Sequence, residues 1–204
     1  FISKMLNKFS RYVCQNCGYE TSQYFGRCMN CKEWNSIIEE EKSVVSKKNI
    51  IKKSKKSKLF TEIAIQEISR IKTGFNEFDR VLGGGLVHGS IILLGGEPGI
   101  GKSTLVLQAA SQMSLSNNVI YITAEESLEQ VKVRWTRLNQ RNSNLKVFAE
   151  NNLSIIIQEI NENKPTIAII DSIQAINNSD LESASGSVSQ VRSCSSELQK
   201  FAKD

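Results

Sequence analysis

Gly96-Glu97-Pro98-Gly99-Ile100-Gly101-Lys102-Ser103 fits the pattern G-x-x-x-x-G-K-[ST] at every defined position, and the rest of the chain reads outward from it. Before it, residues 90–94 read as a short buried strand. After it, residues 102–115 read as a helix with Leu105, Ala109 and Met113 at four-residue spacing. Glycines at 96, 99 and 101 let the backbone wrap a phosphate chain and present its N–H groups. The helix that follows aims its N-terminus at the same anion. Residues Gly96, Glu97, Pro98, Gly99, Ile100, Gly101, Lys102, Ser103 and Thr104 are therefore the candidate nucleotide-binding residues. Lys102 would balance the β- and γ-phosphate charge, and Ser103 would ligate Mg²⁺. The competing reading is a glycine-rich turn with no ligand.

A nucleotide hydrolase needs a second half to its site, a carboxylate at the end of a buried strand. Thr166-Ile-Ala-Ile-Ile-Asp171 supplies one, with Asp171 expected beside the phosphate loop to hold Mg²⁺ through water. A lone strand-end Asp more commonly caps a helix or closes a turn; the apolar run before it and the phosphate loop favour the metal role. Residues 119–123 form another strand pattern, ending at Ala124-Glu125-Glu126. Glu125 is the candidate base for the attacking water, with Lys102 as its catalytic companion. Glu126 could instead cap the next helix, near its positive end. His88, the single histidine, lies in a glycine turn and reads as a surface residue.

Further along, residues 128–138 read as a helix, 147–149 as a short strand and 153–163 as a helix stopped by Pro165. Residues 166–170 then form a β-branched strand, and 188–202 a closing helix. Short apolar strands alternating with helices mark an α/β domain with a mostly parallel sheet flanked by helices.

Upstream lies a different kind of unit. Cys14 and Cys17 form C-x2-C, ten residues intervene, and Cys28 and Cys31 repeat the spacing. Each pair forms a tight knuckle, and two knuckles joined by a hairpin make a tetrahedral four-sulfur site suited to Zn²⁺. About thirty residues bury too little apolar surface to fold alone, so metal binding would supply the missing free energy. Two disulfides and an iron–sulfur site are the alternatives. No ligand position looks open for water, so the metal reads as structural. Cys194, alone on a helix, reads as an ordinary buried residue. The chain is thus expected to divide into a zinc finger at 10–40, a linker at 41–58 and an ATPase domain at 59–204.

The chain has 204 residues, is 40% hydrophobic and 23% charged, and so has globular rather than disordered composition. Its longest uninterrupted apolar candidates, residues 91–94 and 167–170, are far short of the ~20 residues that span a bilayer. The chain begins with Phe1, and residues 1–9 lack the long apolar region of a secretory signal. Clustered cysteines without a disulfide pattern suit a reducing compartment, and the expectation is a soluble cytoplasmic protein. The net charge of +5 is carried by eight lysines between residues 42 and 58, a stretch with no acidic residue; the remainder is −3. That stretch reads first as a solvated linker and second as an arm touching nucleic-acid phosphates.

Taken together, these motifs resemble the bacterial RadA (Sms) family, the RecA-like ATPases of DNA repair and recombination. The resemblance is carried by C-Q-N-C-G…C-M-N-C-K-E-W-N-S, then by Thr73-Gly74-Phe75…Phe78-Asp79-Arg80-Val81-Leu82-Gly83-Gly84-Gly85-Leu86. The phosphate loop, Tyr121-Ile-Thr-Ala-Glu125-Glu126-Ser127, Ile170-Asp171-Ser172-Ile173-Gln174 and Gly186-Ser187-Val188-Ser189-Gln190-Val191-Arg192 follow in the family's order. The resemblance implies a RecA-like P-loop core preceded by a four-cysteine zinc finger. It also implies an ATP-driven motor on single-stranded and branched DNA that extends recombination intermediates by branch migration. A homo-hexameric ring with ATP between subunits, DNA in its channel and the recombinase RecA as a partner belong to the same expectation. Residues 177–190 would face the channel.

The family continues with further strands, a Lys-Asn-Arg-Phe-Gly motif and a Lon-protease-like domain, none of which occurs before Asp204. The chain is accordingly expected to be an N-terminal fragment without turnover of its own. Two other classes compete with the motor. One is an ATP-switched assembly or signalling protein of the KaiC type, whose nucleotide motifs are shared. The other is a zinc-dependent nucleic-acid-binding module without turnover. The cysteine unit favours the motor over the KaiC type.

Overall fold

A computed structural model describes residues 10–41, 59, 61, 69–139 and 144–203. The lysine-rich stretch at 42–58 lies outside the described residues, as does the amino-terminal segment 1–9.

The cysteine unit is a three-stranded antiparallel sheet of β1 (Ser10–Cys14), β2 (Glu20–Thr21) and β3 (Ile37–Glu41), with β1 in the centre. Cys14 stands opposite Ile37, so one end of the sheet delivers a thiol to a small core of Cys14, Cys28 and Ile37. The two knuckles are built alike. Gly18 N–H donates to Cys14 O at 2.8 Å, and Lys32 N–H donates to Cys28 O at 3.0 Å. The residue after each cysteine pair turns left-handed, with φ of 71° at Gly18 and 62° at Lys32. That conformation suits a glycine in the first knuckle and is tolerated by a lysine in the second.

A hairpin-like pair, β4 (Arg70–Ile71) and β5 (Leu86–Val87), encloses the short helix α1 (Asn76–Val81). The Thr73…Asp79 part of the sequence motif has a local job here. Buried Asp79 accepts hydrogen bonds from Thr73 N–H and Oγ1, both at 2.9 Å, and so locks the turn that starts the domain.

Three parallel strands form the main sheet in the order β7 (Lys146–Ala149), β6 (Val119–Thr123), β8 (Ile167–Asp171). Every residue of β6 is buried, as a central parallel strand covered on both faces requires. Its side chains alternate between two cores. Val119 and Tyr121 pack with Leu107, Ala110 and Met113 of α2 (Lys102–Met113) and with Val131 of α3 (Leu128–Arg137). Ile120 and Ile122 pack with Leu153, Ile156 and Ile160 of α4 (Leu153–Asn163) and Cys194 of α5 (Val188–Lys203). Cys194 is a fully buried core residue, and burial pushes its thiol pKa up. Left-handed Lys164 ends α4 immediately before Pro165.

Residues 90–94 depart from expectation. They form no strand, and Ile91, Ile92 and Leu93 are exposed, the last to 81%. Four apolar residues supply strand composition, but a strand exists only through a hydrogen-bonded neighbour. Among the described residues none pairs with this segment, and β8 is the outer strand of its sheet.

Candidate nucleotide site and four-cysteine metal centre

The phosphate loop leads directly into α2. Gly101 takes the helix N-cap position with φ of 101°, a left-handed conformation that a β-carbon would strain, and Lys102 begins the helix. The Lys102 ammonium donates to the carbonyls of Gly96 and Glu97, both at 2.8 Å, so it folds back over the loop it would share with phosphates. Residues Gly96, Glu97, Pro98, Gly99, Ile100 and Gly101 are exposed or nearly so, leaving their backbone open to an anion; Thr104 lies in the first turn of α2.

Ser103 Oγ donates to Asp171 Oδ1 at 3.0 Å across 68 residues of sequence. The strand end and the helix start expected to share a metal therefore meet. A hydroxyl and a carboxylate are hard oxygen donors, and the pair fits Mg²⁺. Asp171 Oδ2 accepts the Tyr121 hydroxyl at 2.5 Å. Burial, with Asp171 alongside, pushes the Tyr121 phenol well above its ordinary value, so it stays a neutral donor.

The two glutamates after β6 have different surroundings. Glu125 Oε1 accepts the hydroxyl of Ser172, the residue after Asp171, at 2.5 Å. Glu126 pairs with Arg134 of α3, while its backbone is tied to Thr123 Oγ1. It is not a helix cap: Ser127 caps α3 through a reciprocal box with Gln130. His88 is exposed in the turn after β5. Neither Tyr121 nor Arg134 stands out in the sequence as a site residue. A tyrosine in the middle of a buried strand among Val119, Ile120 and Ile122 is the available signal, because a buried hydroxyl needs a partner.

At the other centre the four thiols converge within 4.8 Å of one another. The short contacts run between knuckles, Cys14 to Cys31 at 3.6 Å and Cys17 to Cys28 at 3.5 Å. Disulfides need about 2.05 Å, whereas a tetrahedron with metal–sulfur bonds of about 2.3 Å has edges of about 3.8 Å. The cluster therefore has the dimensions of a four-sulfur metal site. Burial opposes ionisation of Cys14, but Ser36 beside it at 3.3 Å and the backbone N–H groups of Cys17 and Asn16 bring its pKa down to about 6. Cys31 receives the Glu33 N–H, which lowers it, yet burial and the neighbouring Cys17, Cys28 and Cys14 raise it to about 11.

Comparison with known proteins agrees with this geometry. Residues 12–39 match the family described as a rubredoxin metal-binding domain, and residues 71–156 match the KaiC ATPase family. The chain is 45% identical over 201 residues to the DNA repair protein RadA of Bacillus subtilis, covering 95% of this chain and 44% of that protein. It is 46% identical over 198 residues to RadA of Listeria monocytogenes, covering 95% and 43%. The chain thus spans less than half the length of the curated relatives it matches. Among solved structures, a DnaB-like replicative helicase superposes with a TM-score of 0.55 at 18% identity, over 70% of this chain and 44% of that one. That likeness concerns the fold, which is the RecA-like P-loop ATPase fold.

Proposed function

Starting from a chain that resembles bacterial RadA along 95% of its length, we propose that it is the nucleotide-hydrolysing part of a DNA repair ATPase of the RadA type. The observation that carries this reading is the contact of Ser103 with Asp171 at 3.0 Å, with Glu125 held beside them by Ser172. In this reading the loop from Gly96 to Gly101 wraps the phosphates and Lys102 leaves its two carbonyls to face them. Ser103 and Asp171 hold Mg²⁺, which when bound supplies positive charge to the phosphate oxygens. Glu125 accepts the proton of the water that attacks the γ-phosphorus as the bond to the ADP oxygen breaks.

The finer parts of the proposal follow the RadA resemblance. The substrate polymer is single-stranded or branched DNA, moved through a ring of six subunits during branch migration, with the recombinase RecA as a partner. Residues 10–40 form a zinc-holding module, 41–58 a linker and 59–204 the ATPase core. Four converging thiols support Zn²⁺ as the resident ion, in a structural role. An ATP-switched assembly protein is the second reading, supported by the KaiC match over residues 71–156. Stimulation of hydrolysis by single-stranded DNA separates the two.

The test is a pair of substitutions in the full-length protein. Lys102→Ala should weaken nucleotide binding, since it removes the charge facing the phosphates. Glu125→Gln should spare binding and slow hydrolysis by roughly 10²–10⁴-fold. Parent-rate hydrolysis by Glu125→Gln, with loss in Glu126→Gln, would move the base by one residue.

A further inference from the structure

Asp171 is gripped at both oxygens, and only one grip comes from the phosphate-loop helix. Oδ1 meets Ser103, whereas Oδ2 takes the Tyr121 hydroxyl at 2.5 Å. Arg134, reaching in from α3, stands 3.9 Å from that same Oδ2. Its Nη1 is buried and has no hydrogen-bond partner among the described residues, while its Nη2 engages Glu126. Tyr121 itself is fully buried at the centre of β6, in register with Val147 and Ile169. Its ring belongs to the apolar cluster of Leu107 and Val131, which a phenylalanine would fill equally well. The hydroxyl is thus the one part of the side chain that packing does not require, and it is spent on Asp171.

We propose that Tyr121 is a positioning residue for the Mg²⁺ site, with Arg134 as its support. By occupying Oδ2 it fixes the rotation of the Asp171 carboxylate and turns Oδ1 toward Ser103 and the phosphate loop. Free rotation would otherwise present either oxygen, or neither, to the metal. Partners behind a metal-binding carboxylate typically contribute 10–100-fold to metal affinity, because they restrict the ligand to one orientation. This inference rests on the nucleotide reading above and adds to it the residue that orients the metal carboxylate.

The experiment measures binding of a fluorescent ATP analogue to the full-length protein as Mg²⁺ is titrated, and again in excess EDTA. Tyr121→Phe should raise the Mg²⁺ concentration for half-maximal binding by roughly 10–100-fold. Its metal-free nucleotide affinity should match the parent, a split that a merely structural defect would not produce. In an Asp171→Asn background the same substitution should have no further effect on the Mg²⁺ curve, since the two residues act as one unit. Arg134→Gln leaves the strand core untouched and should shift the curve in the same direction, so the inference stays testable even if Tyr121→Phe folds poorly. A Tyr121→Phe curve that superimposes on the parent overturns the inference and leaves the nucleotide reading standing. A parent protein whose ATP binding ignores Mg²⁺ overturns both.

Discussion

Cys14 and Cys31 carry the same functional group, yet their surroundings drive them in opposite directions, to about 6 and about 11. Four thiols within 4.8 Å cannot all ionise without a cation between them, and a divalent metal removes that conflict. The purified protein should therefore carry one Zn²⁺ at this centre. Replacing Cys14 or Cys28 by Ser should release it and loosen residues 10–41, because metal affinity is here folding free energy. Metal analysis combined with hydrogen exchange reads both effects. A Cys14–Cys17 disulfide in a metal-free protein would contradict the assignment. The same residue scale explains why adjacent glutamates differ: Glu126 already has a cation, Arg134, while Glu125 has only the Ser172 hydroxyl among the described residues.

Elements depend on single polar side chains at their ends. Gln190, in the first turn of α5, is almost completely buried. Its Nε2 donates to the carbonyls of Ser183 at 2.9 Å, Asn178 at 3.2 Å and Leu181 at 3.3 Å, and its Oε1 accepts the Asn178 N–H at 2.8 Å. The Ser- and Asn-rich segment 177–190 reads from composition as any mobile surface loop; in the fold Gln190 ties residues 178–183 together, alongside Asn178 bonded to Ser193 and Ser189 bonded to Ser183. Gln190→Ala should destabilise the protein by about 1–3 kcal/mol, the cost of leaving the buried Ser183 carbonyl and the part-buried carbonyls of Asn178 and Leu181 without their donor. Denaturant unfolding measures the loss. The amides from Asn178 to Ser183 should exchange faster, and unchanged exchange there would show that the loop is held by something else.

On the scale of the whole molecule, the four-cysteine unit sits against the start of α5. A β-carbon on Gly18 would lie 2.8 Å from Val188 Cγ1, and Arg192 reaches Glu20 at 3.4 Å. The two contacts are unequal. Both side chains of the ion pair are exposed, Arg192 to 65% and Glu20 to 46%, and surface pairs are worth about 0–1 kcal/mol, so Arg192→Ala should change little. Gly18→Val meets both the left-handed backbone, about 1–2 kcal/mol, and the steric block at Val188. Limited proteolysis should find the cysteine unit released from the α/β sheet and helices in Gly18→Val and retained in Arg192→Ala. Equal protection in the two variants would mean that the packing at Gly18 does not hold the units together.

Local chemistry was legible in the order of residues. The glycine turn that opens α2, the paired cysteine knuckles and the strand ending at Asp171 follow from spacing, as do helices expected at 102–115, 128–138, 153–163 and 188–202 and found at 102–113, 128–137, 153–163 and 188–203, because each is specified within a few residues of chain. No helix of the described residues is long and apolar enough to cross a membrane, as the short apolar runs had indicated. Pairing was not legible. Residues 90–94 have the composition of a strand and no strand neighbour among the described residues, since sheet bonds are made with a distant segment that local sequence does not specify. The partners of Asp171 likewise came only from the tertiary structure. Tyr121 and Ser103 lie 50 and 68 residues from Asp171, and it took the parallel register of β6 with β8, packed on α2, to bring both to one carboxylate. Spacing in sequence sets which groups are available; the sheet decides which of them share a hydrogen bond.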